Sequence, residues 1–200
     1  MKISDDLEKM LPFGYLFLII MGILKDSIQY YQLGINILRF STFMDILISP
    51  LAYLTSNVII LITIIFLFIG HYNLPKLLVK YDHNPTVQKM FELKSVKSFS
   101  LEEKKRYYNS IALKTLALVL MSFFIGTGMA GGYFISQRLE KGTLDYNYKI
   151  SFNDEKPQQV NLIGTNSLYY FYVTKGEKHI KIAPIGSIKS VELIYKTSSQ

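Results

Sequence analysis

Charged and amide side chains lie within Lys25–Pro50, a segment between two apolar runs. Ionisable side chains inside a membrane are energetically costly, so their presence here calls for an explanation. Residues 25, 29, 32, 36 and 39 are spaced by four, three, four and three, which on a helix predicts one polar face. The face has two interpretations: it lines a polar path within a bundle, or it lies in water on an interfacial helix, which we favour. The candidate polar stripe comprises Lys25, Asp26, Gln29, Gln32, Asn36, Arg39 and Asp45.

Other chemistry is sparse. The chain has no cysteine, which excludes disulfides, thiolate metal sites and thiol nucleophiles. Its histidines (His71, His83 and His179) are scattered. His179 has no second His and no clustered carboxylate at metal-ligand spacing, and the adjacency of His83 to Asp82 is not a geometry for general-base catalysis. We therefore predict no catalytic residue, cofactor or metal site.

Glycines cluster in the third apolar run. Gly126, Gly128 and Gly131 match G-x-G-x-x-G, but the run has no strand before it, so we reject a dinucleotide site. The candidate helix-packing residues are Gly128, Gly131 and Gly132, because small residues one turn apart let two helix backbones approach closely. The partner helix would belong to this chain, which we favour, or to a second copy or another membrane protein.

Three apolar runs indicate membrane spans. They are Leu11–Leu24, Val58–Gly70 and Thr115–Ile135, and the last has no charge over 21 residues. About 20 helical residues cross a hydrocarbon core of about 30 Å. We predict spans at 11–33, 52–72 and 112–136 within a membrane domain covering 1–138, with the lipid bilayer as a partner.

The basic residues suggest an orientation. Residues 71–110 carry eight bases and four acids, and cytoplasmic loops are enriched in bases. We therefore place the N-terminus and the basic loop 73–110 in the cytoplasm and the C-terminal domain outside. A nucleic-acid partner is not expected, because no broad basic face carries interleaved aromatic residues.

Two capping boxes predict helix starts. Thr42 followed by Asp45 predicts a short helix that ends or kinks at Pro50, and residues 41–55 are interfacial or re-entrant. Ser100 followed by Glu103 predicts a helix from about Leu101 that continues into the third span.

The tail changes to strand periodicity. Tyr146–Phe152 alternates, and turn signals recur at 153–157, 164–167, 175–177 and 186–187. We predict a small all-β domain at 145–197, an SH3-like or Sm-like meander or barrel. The fold class is thus α-helical membrane protein, with about three spans plus an interfacial or re-entrant helix, and a small β domain.

The run YYQLGINILRFSTFMDILISPLAYLTS and the tail VNLIGTNSLYYFYVTKGEKHIKIAPIGSIKSVE resemble segments of multi-pass bacterial membrane proteins of uncharacterised activity. The resemblance implies an architecture at the inner membrane and no functional residues. The leading hypothesis is a non-enzymatic membrane protein whose β module serves partner binding, sensing or assembly. The alternatives are a subunit of a small oligomeric channel or transporter, with the 25–45 stripe lining the conduit, and a membrane-embedded enzyme.

Overall fold

The structure is a computed structural model that describes residues 3–93, 99–153 and 156–194, with side chains from Leu11 onward. Parts of the predicted basic loop (94–98), of the first β turn (154 and 155) and of the β domain's end (195–197) lie outside the described residues. The chain forms two compact units, one made of Met1–Pro50 and Phe124–Gln200 and the other of Leu51–Phe123.

The described part of the first 141 residues forms five α-helices: α1 (Ile3–Tyr31), α2 (Phe43–Ser56), α3 (Val58–Tyr81), α4 (Pro85–Met90) and α5 (Leu101–Lys141). Among the described residues, three helical segments are long and apolar enough to cross a membrane, namely Leu11–Tyr31, Val58–Tyr81 and Leu101–Lys141. The predicted set of three apolar helices is therefore confirmed.

The first helix ends earlier than the stripe predicts. Gly34 has a φ of +74°, which favours glycine, and the backbone N–H of Ile35 donates to the Tyr30 carbonyl at 2.9 Å. Asn36 and Arg39 follow this stop, and Ile37–Arg39 form a 3₁₀ turn. The prediction of one helical stripe through Arg39 is wrong, because the glycine C-cap ends the 3.6-residue period.

Helices α2 and α3 divide at a different residue from the predicted one. Pro50 lies inside α2 and is buried, and the helix continues to Ser56. The break occurs at Asn57, whose side-chain oxygen accepts from the Ile59 backbone N–H at 2.8 Å and so caps α3. The second apolar helix consequently covers 58–81, beyond the predicted limit of 72.

The predicted basic loop is partly helical. The end of α3, all of α4 and the start of α5 lie within residues 73–110. In the unit Leu51–Phe123, Leu78 and Tyr108 form a buried cluster, and the Tyr108 hydroxyl donates to Asp82 at 3.1 Å. The Ser100 capping box is confirmed by reciprocal bonds with Glu103 at 2.8 and 3.3 Å.

The C-terminal strands form one antiparallel sheet, as the alternation predicts. The strands are β1 (Tyr148–Phe152), β2 (Gln158–Thr165), β3 (Tyr169–Thr174), β4 (Lys181–Pro184) and β5 (Ile188–Leu193). Their order is β4-β3-β2-β1-β5. A 3₁₀ turn at Ile185–Ser187 joins the last two strands.

Both faces of β3 are buried, because alternate side chains point to opposite faces of a strand. Tyr172 packs with Ile150, Val160 and Ala183, and with half-buried residues of β5, so that all five strands contribute to this core. Phe171 points the other way and is fully buried against residues that precede α2. The second face of the sheet thus packs on the end of α1 and the residues that follow it.

Candidate functional site

An aromatic cluster joins the sheet to the end of α1. Tyr30 and Phe171 pack edge to face with ring centroids 5.3 Å apart, and Ile35 and Ile37 complete the buried set. Phe40 adds edge-to-face contacts with Tyr169 at 5.5 Å and Phe171 at 5.9 Å. Such pairs contribute about 0.5–1.5 kcal/mol each beyond area burial, so the β domain is held firmly on this segment.

The Asp45 carboxylate is the polar centre of the same junction. It accepts from the Thr42 backbone N–H at 2.8 Å and the Thr42 hydroxyl at 2.7 Å, which confirms the predicted capping box. The Asp45 backbone N–H completes the box by donating to the Thr42 hydroxyl at 3.1 Å. From the β2–β3 turn, Ser167 donates its backbone N–H to Oδ1 at 3.0 Å and its hydroxyl to Oδ2 at 2.9 Å.

Hydrogen bonding decides the ionisation of Asp45. Burial of this half-buried carboxyl raises its pKa, but the four donors from Thr42 and Ser167 together outweigh burial and lower the pKa below its ordinary value. The carboxylate is therefore ionised at neutral pH and fully engaged in holding the turn.

Asn166 strengthens the junction from the neighbouring position. Its side-chain amide donates to the Phe40 carbonyl at 2.9 Å, while its side-chain oxygen accepts from the backbone N–H groups of Leu168 and Tyr169. The Asn166 side chain thus stabilises the β2–β3 turn and also attaches it to the segment between α1 and α2.

The glycines of α5 pack against the polar residues of α1. A Cβ on Gly128 would lie 2.6 Å from the Lys25 carbonyl oxygen, and one on Gly132 would lie 2.6 Å from the Gln29 carbonyl oxygen. Gly131 faces the Gln29 side chain. Glycine is required at both close approaches, because any side chain would collide with backbone.

Gln32 closes this seam. Its amide nitrogen lies 3.2 Å from the Met129 carbonyl, 3.4 Å from the Gly128 carbonyl and 3.2 Å from the Ile28 carbonyl. Bonds of this kind between helices contribute about 0.6–2 kcal/mol in membranes. In contrast, a Cβ on Gly126 would meet no neighbouring atom within 4 Å. The whole G-x-G-x-x-G motif lies inside α5 and not at a strand-to-helix turn, as its rejection as a dinucleotide site requires.

Lys25 and Asp26 form an ion pair beside the seam. Lys25 is only 8% exposed, and its ammonium lies 2.8 Å from Asp26. The Ser49 hydroxyl donates to the other Asp26 oxygen. Asp26 thus links α1 to Ser49 of α2 and at the same time neutralises the buried Lys25, which needs an opposite charge nearby.

The seven stripe residues therefore do not form one surface. Gln29, like Lys25 and Gln32, lies at the α1–α5 seam, whereas Asp45 contacts the sheet. Asn36 and Arg39 are exposed, alternating with the buried Ile35 and Ile37.

Sequence reasoning missed the sheet side of the junction. Asn166 and Ser167 fall in a predicted turn and Phe171 in the predicted β domain, and nothing in the sequence indicates that they contact the helical part of the chain. Ser167 lies 122 residues from Asp45, so no local spacing connects them.

The part of the chain that the structure describes contains no group of three or more His, Asp or Glu arranged to hold a metal ion. No known protein family, curated protein or solved structure shows significant similarity to this chain.

Proposed function

We propose that this chain is a non-enzymatic multi-pass protein of the bacterial cell membrane, whose extracytoplasmic β module binds a protein partner and holds it at the membrane. The N-terminus and residues 73–110 are cytoplasmic in this proposal. The basic residues of 71–110 support that orientation, because bases are retained on the cytoplasmic side.

The docking of the sheet carries the proposal. An apolar cluster around Tyr30 and Phe171, together with the Asp45–Ser167 bonds, fixes the module to the end of a span. A module on a flexible tether would only recruit a partner, whereas a docked module also sets the partner's position relative to the bilayer. The polar groups at the junction are engaged in this docking, which favours a structural role for them over catalysis.

The module offers one suitable edge for a partner strand. In the described sheet, β4 and β5 each pair with a single neighbour. β4 has four residues and ends in Pro184, which has no backbone N–H, whereas β5 has six residues. We therefore assign partner binding to β5, by addition of an extended segment.

The proposed fold of the module is an SH3-like barrel. The strand order, the 3₁₀ turn before β5 and a core shared by all five strands support this assignment. An Sm-like barrel is the related alternative.

The channel subunit is a weaker candidate. It requires the stripe to face a conduit, whereas Lys25, Gln29 and Gln32 abut α5 of the same chain. No contact of the described residues favours it.

Single-cysteine labelling tests both orientation and partner binding, and the chain's own lack of cysteine removes any background. We choose Lys189→Cys on β5, Lys175→Cys after β3 and Lys89→Cys on α4, all exposed positions. A membrane-impermeant maleimide should label the first two in intact cells and the third only after lysis.

The same variants then carry a maleimide-benzophenone crosslinker. Illumination of native membranes should give one discrete, saturable adduct from Lys189→Cys and none from the matched control Lys175→Cys. An adduct of twice the chain's mass would identify the partner as a second copy. Equal adducts from both positions, or none from Lys189→Cys, would contradict partner binding at β5.

A further inference from the structure

A groove runs along the seam between α1 and α5. Ser27 and Ile28 line it from α1 and Met129 and Ala130 from α5, and the aromatic side chains of Tyr31, Tyr133 and Phe134 project beside them. Its volume is about 770 Å³, within the range of about 300–1,000 Å³ of small-molecule sites. Both walls belong to segments that are long and apolar enough to cross a membrane, and the groove lies near the C-terminal end of both segments.

A second, more polar cavity begins where the groove ends. Gln32 lines both, and the second cavity of about 360 Å³ continues along Ser136 towards the β domain. Lys178 and Glu140 provide one positive and one negative charge in its lining. The Lys178 ammonium is positioned by a contact of 3.3 Å with the Glu140 carbonyl, in the last turn of α5.

We propose that the two cavities together bind one glycerophospholipid with a phosphoethanolamine headgroup. One acyl chain lies in the groove, the phosphate pairs with the Lys178 ammonium, and the primary ammonium of the headgroup pairs with the Glu140 carboxylate.

The opposite charges of Lys178 and Glu140 specify this headgroup. An anionic phosphoglycerol headgroup would satisfy Lys178 with its phosphate but would bring only neutral hydroxyl groups, and no cation, to the Glu140 carboxylate. A zwitterionic headgroup brings one charge of each sign and complements both residues. The groove between α1 and α5 matches an acyl chain, because its walls are lined almost wholly by carbon atoms.

Competitive lipid binding to the purified full chain tests the proposal. Detergent-solubilised protein is titrated with equimolar phosphatidylethanolamine and phosphatidylglycerol, and bound lipid is counted by native mass spectrometry. Lys178→Ala should weaken phosphatidylethanolamine binding about fivefold, as expected for loss of one exposed ion pair. Glu140→Gln should abolish the preference for phosphatidylethanolamine over phosphatidylglycerol.

The groove is tested separately by filling it. Ala130→Phe should weaken binding of both lipids about tenfold or more, because it occupies the acyl-chain volume. The matched controls are Lys175→Ala, an exposed lysine after β3, and Leu118→Phe, an exposed apolar position on α5. If Ala130→Phe does not fold, Tyr31→Ala replaces it, since it removes a groove wall that is 82% exposed.

The proposal would be overturned if Lys178→Ala bound lipid like Lys175→Ala, or if the filled groove of Ala130→Phe bound lipid like Leu118→Phe. Equal binding of the two lipids by the unmodified chain would also overturn the assigned headgroup. Dimerisation that is lost in Ala130→Phe, without a change in bound lipid, would assign the groove to a second copy instead.

Discussion

Gly164 and Tyr30 form the most informative contact between the sheet and α1. A Cβ on Gly164 would overlap the Tyr30 hydroxyl oxygen, whereas the ring carbon that bears the hydroxyl lies 3.4 Å away, close to ordinary contact. Gly164 lies next to a β-bulge in β2 and does not have a positive φ, so alanine costs nothing in backbone strain there. The effect of Gly164→Ala, compared with that of Gly→Ala at an open position, therefore reports on packing, because both substitutions reduce the freedom of the unfolded chain alike.

The cost depends on whether Tyr30 can move. Its ring is 8% exposed and is held edge to face against Phe171, which is fully buried. Overpacking at such a site costs about 1–3 kcal/mol of unfolding free energy. At about 2–4 °C per kcal/mol for a chain of this size, a loss of about 2 kcal/mol lowers Tm by about 4–8 °C.

The companion variant Tyr30→Phe removes the clashing oxygen. In that background, Gly164→Ala should lower Tm by less than about 2 °C, giving a coupling free energy of about 1–2 kcal/mol in a double-mutant cycle. Thermal unfolding in detergent micelles, followed by circular dichroism, measures all four proteins. Gly186→Ala is the matched control, because its Cβ would meet no atom within 4 Å.

Additive effects of the two substitutions would refute the docking of β2 on Tyr30. A Gly164→Ala protein as stable as Gly186→Ala would refute it equally.

Two further predictions follow from the seam and from the Asp45 junction. Gly128→Ala should lower the unfolding free energy by about 1–3 kcal/mol, because its Cβ would force the Lys25 carbonyl away. Gly126→Ala, at an open position of the same helix, should be neutral or stabilising. Equal Tm values for the two variants would contradict close packing of α5 on α1. Asp45→Asn should lower Tm at pH 7, because the amide group brings its own donors towards those of Thr42 and Ser167. Since the folded-state pKa of Asp45 is lowered, its stabilisation is present above the ordinary carboxyl pKa of about 3.9 and is lost as pH falls through the folded value. The Tm difference between the unmodified chain and Asp45→Asn should therefore shrink as the pH falls below about 3.9, and a constant difference would contradict the carboxylate's role.

Local patterns predict the elements of this chain well. Both capping boxes form, since each depends on groups three residues apart whose bonds close within one turn. Alternating residues mark the strands, and apolar length marks the three long helices, for the same local reason.

The candidate site was only partly predictable, as the polar stripe illustrates. Its regular spacing continues past Gly34, but a single glycine in the left-handed conformation ends the helix and separates Gln32 from Asn36. The spacing of polar and apolar residues alone does not reveal such a stop, because glycine is also tolerated inside a long apolar helix, as Gly128 and Gly132 in α5 demonstrate.

By itself, the sequence determined that this protein has three apolar helices of spanning length and a small antiparallel sheet. The signals for these elements are the spacing of apolar residues, the helix-capping residues and the length of the apolar runs, and each of them depends on residues that are close together in the sequence. Only the tertiary structure decided what the polar residues contact. Lys25, Gln29 and Gln32 meet α5, and Asp45 meets a turn 122 residues away. Those pairings arise when the apolar clusters bring distant segments together, and burial then requires each charge to find a partner.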